Sequence, residues 1–85
     1  MPYYTYIVEC ADKSLYTGCT NNLEKRVVQH NISNQGAHYT KIRRPVILKY
    51  FEVFKTLAAG RHREAEIKSF TRNQKLKLIL NNHSK

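Results

Sequence analysis

The sequence predicts one α+β domain with the element order β-β-α-β-α-α. Two short runs rich in tyrosine, threonine, isoleucine and valine open the chain, and an almost continuously apolar run follows its midpoint. Three stretches that begin with helix-capping residues follow the second and third runs. The 85 residues are enough for one domain with a small core, so we expect a domain spanning 1–85 with its core at about 3–80.

The first two runs are expected to form a β-hairpin. Strand one covers Tyr3–Cys10, strand two covers Leu15–Thr20, and Asp12-Lys13-Ser14 supplies the loop. A four-residue loop would put Tyr6 and Tyr16 on opposite faces of the hairpin, whereas a three-residue loop would put them on one face. We favour the three-residue loop, with Lys13 near the position that prefers glycine.

A helix at about Asn22–Asn31 follows the hairpin directly. Thr20 or Asn21 can cap it, because a side-chain oxygen at that position accepts a hydrogen bond from the first helical turn. The stretch Ile32–Arg44 is glycine-containing, polar and basic, which predicts a loop.

The second half of the chain predicts one strand and two helices. The run Val46–Phe54 is suited to the middle or the covered face of a sheet. Thr56 is expected to cap a helix that ends near Ser69. Thr71 and Gln74 have the spacing of a capping box, which predicts a last helix to about residue 81.

The charge balance points to a polyanionic partner. Fifteen Lys and Arg residues against six Asp and Glu give a formal charge of +9, more than solubility alone requires, and this favours nucleic acid. No signal peptide or long apolar run is present, and no helix combines a broad apolar face with a basic one. We therefore expect a cytoplasmic protein without a membrane role. Cys10 and Cys19 are expected to be unpaired core residues in a reducing compartment.

Glu64 is the first candidate for chemistry. On a helix it falls on nearly the same side as Leu57 and Ile67, one turn after Gly60. A carboxylate near an apolar face must be paired or must coordinate a metal. An ordinary ion pair with Arg61, Arg63 or Lys68 is the alternative interpretation.

The hairpin and the first helix carry the other candidates. Arg26 and His30 are four residues apart on one helix face; an arginine fork matches phosphate oxygens, and a histidine can pass protons near neutral pH. Alternatively, Arg26 forms an ordinary ion pair or phosphate contact on a solvated face, and His30 is a helix-end residue favoured by the helix dipole. Tyr6 and Tyr16 could belong to a functional site or be ordinary core or interface aromatics. Gly18 inside a strand indicates a bulge or a close approach by a ligand or another segment.

These residues occur in an ordered set that resembles the GIY-YIG nuclease domain, and in particular its short stand-alone bacterial (YhbQ-like) subgroup. The set comprises Tyr4-Thr5-Tyr6, Tyr16-Thr17-Gly18, Leu23-Glu24-Lys25-Arg26 with His30, Gly36-Ala37-His38-Tyr39-Thr40 with Arg43-Arg44-Pro45, and Arg63-Glu64 before Ile67-Lys68. The sequence departs from the family where Tyr4-Thr5 replaces Gly-Ile and Thr17 replaces isoleucine. A C-terminal asparagine used by several relatives could be Asn73, Asn81 or Asn82.

The resemblance implies a fold, a reaction and a set of roles. The fold is a three-stranded antiparallel sheet flanked by three helices, and the reaction is metal-dependent hydrolysis of DNA to 5′ phosphate and 3′ hydroxyl ends, in a role such as DNA repair. Glu64 would hold one Mg²⁺ or Mn²⁺ ion, and Arg26 would neutralise phosphoryl charge. Tyr6, made more acidic by the metal and the arginine, would take the proton of the attacking water, which Tyr16 and His30 would orient or relay.

Basic residues outside the motifs are expected to bind the nucleic-acid backbone with little sequence preference. They are Lys25, Lys41, Arg43, Arg44, Arg72 and Lys75. DNA is the expected partner, single-stranded or branched forms included; RNA stays open, and a partner protein could supply specificity. The main alternative is a non-catalytic nucleic-acid-binding module of the same fold, and a small ribosome-associated basic protein is a third.

Overall fold

The computed structural model describes residues 2–32 and 37–81, and its centre is a three-stranded antiparallel sheet in the order β2-β1-β3. The strands are β1, Tyr3–Glu9, β2, Leu15–Thr20, and β3, Ile47–Phe54. β1 pairs with both neighbours, which explains why Tyr6, Ile7 and Val8 are almost completely buried. The predicted antiparallel sheet with flanking helices is confirmed.

The β1–β2 hairpin closes over three residues, which confirms the predicted loop length. The loop residues are corrected: Glu9 lies opposite Leu15 and the Cys10 N–H donates to Ser14 O over 2.8 Å, so the loop is residues 11–13 and not Asp12-Lys13-Ser14. Lys13 has φ 73°, the left-handed conformation that favours glycine. In this register Cys19 lies opposite Thr5, and both Cys10 and Cys19 are free thiols.

In the described part of the chain four helices accompany the sheet: α1, Leu23–Ile32, α2, His38–Lys41, α3, Leu57–Lys68, and α4, Arg72–Asn81. The caps predicted for the last two are present. The Thr56 side chain accepts from the Ala59 N–H, and Thr71 and Gln74 exchange hydrogen bonds of 2.9 and 3.2 Å between backbone N–H and side-chain oxygen.

The start of α1 corrects the sequence prediction. Asn22, rather than Thr20 or Asn21, is the cap, because its Oδ1 accepts from the Lys25 N–H at 3.1 Å. Thr20 instead accepts from the Asn22 N–H through its hydroxyl and so fixes the cap residue. The element order holds with one addition, the four-residue helix α2, which lies inside the segment expected to be a loop.

The helices cover opposite faces of the sheet. Tyr6 and Val8 point toward α1 and pack with Cys10 and Val46, and Leu23 of α1 lies against this cluster. Ile7 points to the other face, where it packs with Tyr50 of β3, Ile67 of α3, and three partly buried residues of the C-terminal third, Phe70, Leu78 and Ile79. The alternation along β1 therefore divides the protein into two small cores.

β3 is an edge strand, which its apolar sequence did not predict. It lies at one end of the order β2-β1-β3, and Phe51 and Val53 remain 42% and 57% exposed. Among the described residues, no helix is both long enough and apolar enough to cross a bilayer.

Candidate active site

A buried chain of hydrogen bonds links β1, α1 and α2. The Tyr6 hydroxyl lies 2.7 Å from His30 Nε2, and His30 Nδ1 lies 2.8 Å from Thr40 Oγ1. Thr40 Oγ1 in turn donates to Ala37 O over 2.9 Å. Tyr6, His30 and Thr40 are each at most 1% exposed, so these polar groups satisfy one another away from water.

Gly18 makes room for Tyr6. The two residues are opposite each other in the hairpin, and a Cβ on Gly18 would lie 2.6 Å from Tyr6 Cζ and closer still to the hydroxyl oxygen. Gly18 has no positive φ, so the position requires the absence of a side chain rather than an unusual backbone. The close approach predicted from this glycine is thus to Tyr6 itself.

Arg26 and Glu64 act electrostatically on Tyr6 from two different helices. Burial raises the pKa of Tyr6 to about 12, although a hydrogen bond and the charge of Arg26 lower it. Glu64 adds a small increase to the same pKa. The expectation that the arginine makes Tyr6 acidic is right in sign, but burial outweighs it and the phenol is protonated at neutral pH.

His30 is neutral at physiological pH. Burial lowers its pKa to about 4, and the charges of Arg26 and Arg44 add to this decrease. A neutral imidazole has one nitrogen that donates and one that accepts, so His30 can accept a hydrogen bond from a neighbouring hydroxyl.

Tyr16 connects the buried chain to the surface through stacked side chains. Its ring packs edge-on against His30 at 5.4 Å between centroids and stacks on Tyr39 at 5.9 Å. The Arg43 guanidinium lies 3.9 Å from the centroid of the Tyr39 ring and forms an ion pair with Asp12 at 3.1 Å. The two tyrosines of the hairpin therefore share a face and a neighbour in His30, as the three-residue loop requires.

Glu64 is a half-buried carboxylate that could hold a metal. Its side chain is 15% exposed, and its Oε2 lies 3.0 Å from Lys68 Nζ, one of the ion-pair partners considered from the sequence. Burial raises the pKa of Cys19, and the negative charge of Glu64 raises that same pKa further. The Glu64 carboxylate therefore lies on the β2 side of α3.

The donor set fits a hard cation held mainly by waters and phosphate oxygens. Across residues 2–32 and 37–81, no group of three or more His, Cys, Asp and Glu side chains converges to form a protein-only metal cage. Mg²⁺ commonly binds through one or two carboxylates with substrate phosphates and water, which Glu64 alone can satisfy.

Arg63, the motif neighbour of Glu64, belongs to a separate ionic network. Its guanidinium donates to both carboxylate oxygens of Glu52 at 3.1 Å and to Glu66 at 2.6 Å, and Tyr50 also donates to Glu52. This network joins α3 to β3 on the face away from Tyr6, so Arg63 acts in the fold rather than at the site.

The basic residues expected to bind nucleic acid divide into two groups. Lys25 and Arg72 are exposed, and Lys41 and Lys75 are partly exposed. Arg43 and Arg44 also hold the fold: Arg43 Nη1 donates to Tyr39 O at 3.0 Å, and Arg44 Nε donates to His30 O at 2.5 Å at the end of α1. Arg72 Nη1 donates to Lys13 O at 2.8 Å and so joins α4 to the hairpin turn.

Sequence reasoning missed three residues of this region. Thr40 and Tyr39 lie on α2, and their only sequence signal is the segment that contributed to the family resemblance. Asn31 pairs with the Val46 backbone through both side-chain atoms, at 3.1 and 2.7 Å, and so anchors the end of α1 beside the start of β3.

Four further histidines and asparagines lie at the surface. His38 and His62 are exposed, and Asn73 and Asn81 are exposed near opposite ends of α4. Gly36, Asn82 and His83 lie outside the described residues.

Comparisons with known proteins identify a family and several relatives. A family model described as the GIY-YIG catalytic domain matches residues 2–77. The chain is 57% identical over 77 residues to a UPF0213 protein of Staphylococcus saprophyticus, a match that covers 91% of this chain and 93% of that protein.

Two solution NMR structures have the same fold. One is a UPF0213 protein of Bacillus halodurans, with 37% identity and a TM-score of 0.59 over 93% of this chain and 83% of that one. The other is a protein of E. faecalis, with 36% identity and a TM-score of 0.66 over 100% and 90% of the two chains.

Proposed function

The chain belongs to the GIY-YIG family, and we propose that it is a divalent-metal-dependent endonuclease that hydrolyses DNA phosphodiester bonds. The family predicted from the motifs is confirmed by the model match and by the UPF0213 relatives. The nuclease-type fold of that family supports a nucleic-acid substrate. The proposed products carry 5′ phosphate and 3′ hydroxyl ends, and the proposed cofactor is one Mg²⁺ or Mn²⁺ ion at Glu64.

The buried hydrogen bond between Tyr6 and His30 is the observation that carries the proposal. The Tyr6 hydroxyl and a neutral imidazole nitrogen are 2.7 Å apart, within the reach that proton transfer requires, and Arg26 lies at the same hydroxyl. A histidine acceptor and an arginine at one tyrosine hydroxyl suit acid–base chemistry on a phosphate.

The chemistry follows from these contacts. A water molecule attacks the phosphorus as its proton passes to the Tyr6 oxygen, while the Tyr6 proton passes to His30 Nε2. Because the pKa of Tyr6 is raised to about 12, the tyrosine acts as a relay and not as a preformed phenolate. Arg26 neutralises charge on the phosphoryl oxygens, and Tyr16 packs against His30 and orients it.

A bound Mg²⁺ or Mn²⁺ would supply Lewis-acid stabilisation of the scissile phosphate and of the leaving 3′ oxygen. The P–O3′ bond breaks as the water oxygen bonds to phosphorus, and the 3′ oxygen takes a proton from solvent. The histidine returns its extra proton to solvent after each cleavage.

The charge of +9 supports binding to the nucleic-acid backbone. We propose that Lys25, Lys41, Arg72 and Lys75 contribute to it, with Arg43 and Arg44 adding charge from structural positions. Such contacts give affinity and little sequence preference, so specificity would come from DNA structure or a partner protein. We also propose a cytoplasmic location and a single domain over residues 1–85.

A non-catalytic nucleic-acid-binding module is the second candidate. It is favoured by two observations: Tyr6 is 1% exposed, and the Glu64 carboxylate is paired with Lys68. In this alternative the fold and the charge bind nucleic acid while the tyrosine is a core residue.

Glu64→Ala separates the two functions. Cleavage and binding of labelled single-stranded, duplex and branched DNA are measured with Mg²⁺, with Mn²⁺ and with EDTA. We expect Glu64→Ala to abolish metal-dependent cleavage and to leave binding within a few fold. Glu66→Ala, on the same helix and also removing an ion pair, is the matched control and should cleave normally. Binding without cleavage by the unmodified protein would favour the binding module.

A further inference from the structure

The hydrogen bonds around His30 fix which ring nitrogen carries the proton. Three contacts need one proton each: Tyr6 oxygen to Nε2, Nδ1 to Thr40 Oγ1, and Thr40 Oγ1 to Ala37 O. Three protons are available, from the phenol, the neutral imidazole and the threonine hydroxyl. Ala37 O is an acceptor only, and it also accepts from the backbone N–H groups of Thr40 and Lys41 at 3.1 and 3.0 Å. The 2.9 Å approach of two oxygens, Thr40 Oγ1 and Ala37 O, is favourable only if the threonine proton lies between them.

The remaining protons then have one arrangement. Because Thr40 has used its proton, it accepts from His30, and the histidine proton lies on Nδ1. Nε2 therefore has a free lone pair, which accepts from Tyr6. In the opposite tautomer the oxygens of Thr40 and Ala37 would lie 2.9 Å apart with no proton between them, and they would repel each other. The buried Tyr6 hydroxyl would also lose His30 Nε2 as its acceptor, which is costly.

We propose that Thr40 is a positioning residue that holds His30 in the Nδ1–H tautomer, so that Nε2 can accept the Tyr6 proton. The role of this tautomer in cleavage rests on the proposed nuclease function. The assignment of the tautomer itself rests only on the contacts. The Thr40 hydroxyl is hydrogen-bonded to His30 Nδ1, and it acts through the imidazole.

The fold is built to hold Thr40 in place. α2 is a single turn of helix, and Thr40 sits on its buried side at 0% exposure. The Arg43 N–H donates to Thr40 O at 3.0 Å, and the Arg43 side chain donates to Tyr39 O. This turn lies inside the segment for which the sequence predicts a loop, and it presents the Thr40 hydroxyl to His30.

The ¹⁵N spectrum of the imidazole tests the proposal directly. Long-range ¹H–¹⁵N correlation identifies which ring nitrogen is protonated, and the signals of His30 are assigned by their loss in His30→Phe. We expect Nδ1 protonated and Nε2 unprotonated in the unmodified protein at pH 7. A protonated Nε2 would overturn the proposal without any variant.

Thr40→Val and Thr40→Ser isolate the hydroxyl. Valine keeps the shape and removes the acceptor, so His30 should lose its single tautomer, whereas serine keeps the hydroxyl and should preserve it. Thr5→Val is the matched control: Thr5 is equally buried and donates to Gly60 O at 2.7 Å on the other face of the sheet. It should lose stability without changing the His30 spectrum. An unchanged tautomer in Thr40→Val would overturn the role of Thr40.

Single-turnover cleavage provides the second readout. We expect the rate of Thr40→Val to fall about tenfold or more with little change in DNA affinity, and Thr40→Ser to recover most of it. If no form of the protein cleaves DNA, the nuclease proposal fails while the spectrum still decides the tautomer. If the protein cleaves and Thr40→Val cleaves at the unmodified rate, the positioning role is wrong.

Discussion

Gly18→Ala tests the packing that places the Tyr6 hydroxyl. The added methyl group would lie 2.6 Å from Tyr6 Cζ and closer to its oxygen, and Tyr6 is too well enclosed to move aside, at 1% exposure. Overpacking of this kind costs about 1–3 kcal/mol. A shift of the ring would also break the hydrogen bond to His30 and leave a buried donor without its acceptor, which costs about 1–3 kcal/mol more.

We therefore expect Gly18→Ala to lower the free energy of unfolding by about 2–6 kcal/mol. Urea unfolding followed by circular dichroism measures this change. In a domain of this size each 1 kcal/mol also lowers the Tm by roughly 4–8 °C, so thermal unfolding is an independent check.

Gly60→Ala is the matched control. Its added methyl group would lie 2.9 Å from Cys19 Sγ, the end of a side chain that can rotate, and alanine favours the helix by about 1 kcal/mol over glycine. The two effects should nearly cancel. Tyr6→Phe should reduce the cost of Gly18→Ala without abolishing it, because the Cζ contact remains. A Gly18→Ala protein within about 0.5 kcal/mol of the unmodified protein would refute this packing.

Three further predictions concern stability and binding. Thr17→Val should raise the free energy of unfolding by about 1 kcal/mol, because the buried Thr17 hydroxyl has no hydrogen-bond partner in the described part of the chain; urea unfolding that shows a loss instead would contradict this. The pKa of His30 is lowered to about 4, so between about pH 6.5 and pH 4 the unfolded chain binds a proton there that the folded chain does not. Stability should therefore fall by about 3 kcal/mol as the pH decreases through that window, and urea midpoints of His30→Gln should show a smaller decrease. Arg44→Ala should lower the free energy of unfolding by about 1–2 kcal/mol, because it removes the hydrogen bonds from Arg44 to the end of α1. Lys41→Ala should leave stability unchanged and reduce by about one the slope of log affinity for DNA against log salt concentration. Equal stabilities of the two variants would contradict the structural role of Arg44.

Local sequence rules predicted much of the fold. The three-residue hairpin, the Thr56 cap and the Thr71–Gln74 capping box depend on residues within a few positions of each other, and the structure has all three. The predicted cap of α1 was wrong by one or two residues, because Thr20, Asn21 and Asn22 all have side chains that can cap a helix. The structure identifies Asn22, whose Oδ1 accepts from the Lys25 N–H.

Contacts between distant segments were not predictable in this way. Thr40 meets His30 across ten residues, and Arg44 reaches the end of α1 across fourteen. A four-residue helix such as α2 has no measurable periodicity. The edge position of β3 depends on β1 pairing on both sides, which the composition of β3 does not encode.

The candidate site was predictable as a set of residues but not as an arrangement. The motif order identified Tyr6, Tyr16, Arg26, His30 and Glu64. The direct contact between Tyr6 and His30, and the dominance of burial over the charge of Arg26, required the structure.

The most direct test of the account compares Tyr6→Phe with Tyr50→Phe in single-turnover DNA cleavage with Mg²⁺. Each variant removes one hydroxyl from a buried tyrosine, and Tyr50, 6% exposed, donates to Glu52 on the opposite face of the sheet. We predict that Tyr6→Phe loses about 100-fold or more in cleavage rate, while Tyr50→Phe loses stability but cleaves normally once folded. Cleavage by Tyr6→Phe at the unmodified rate would contradict the account, because the Tyr6–His30 hydrogen bond would then have no part in the reaction.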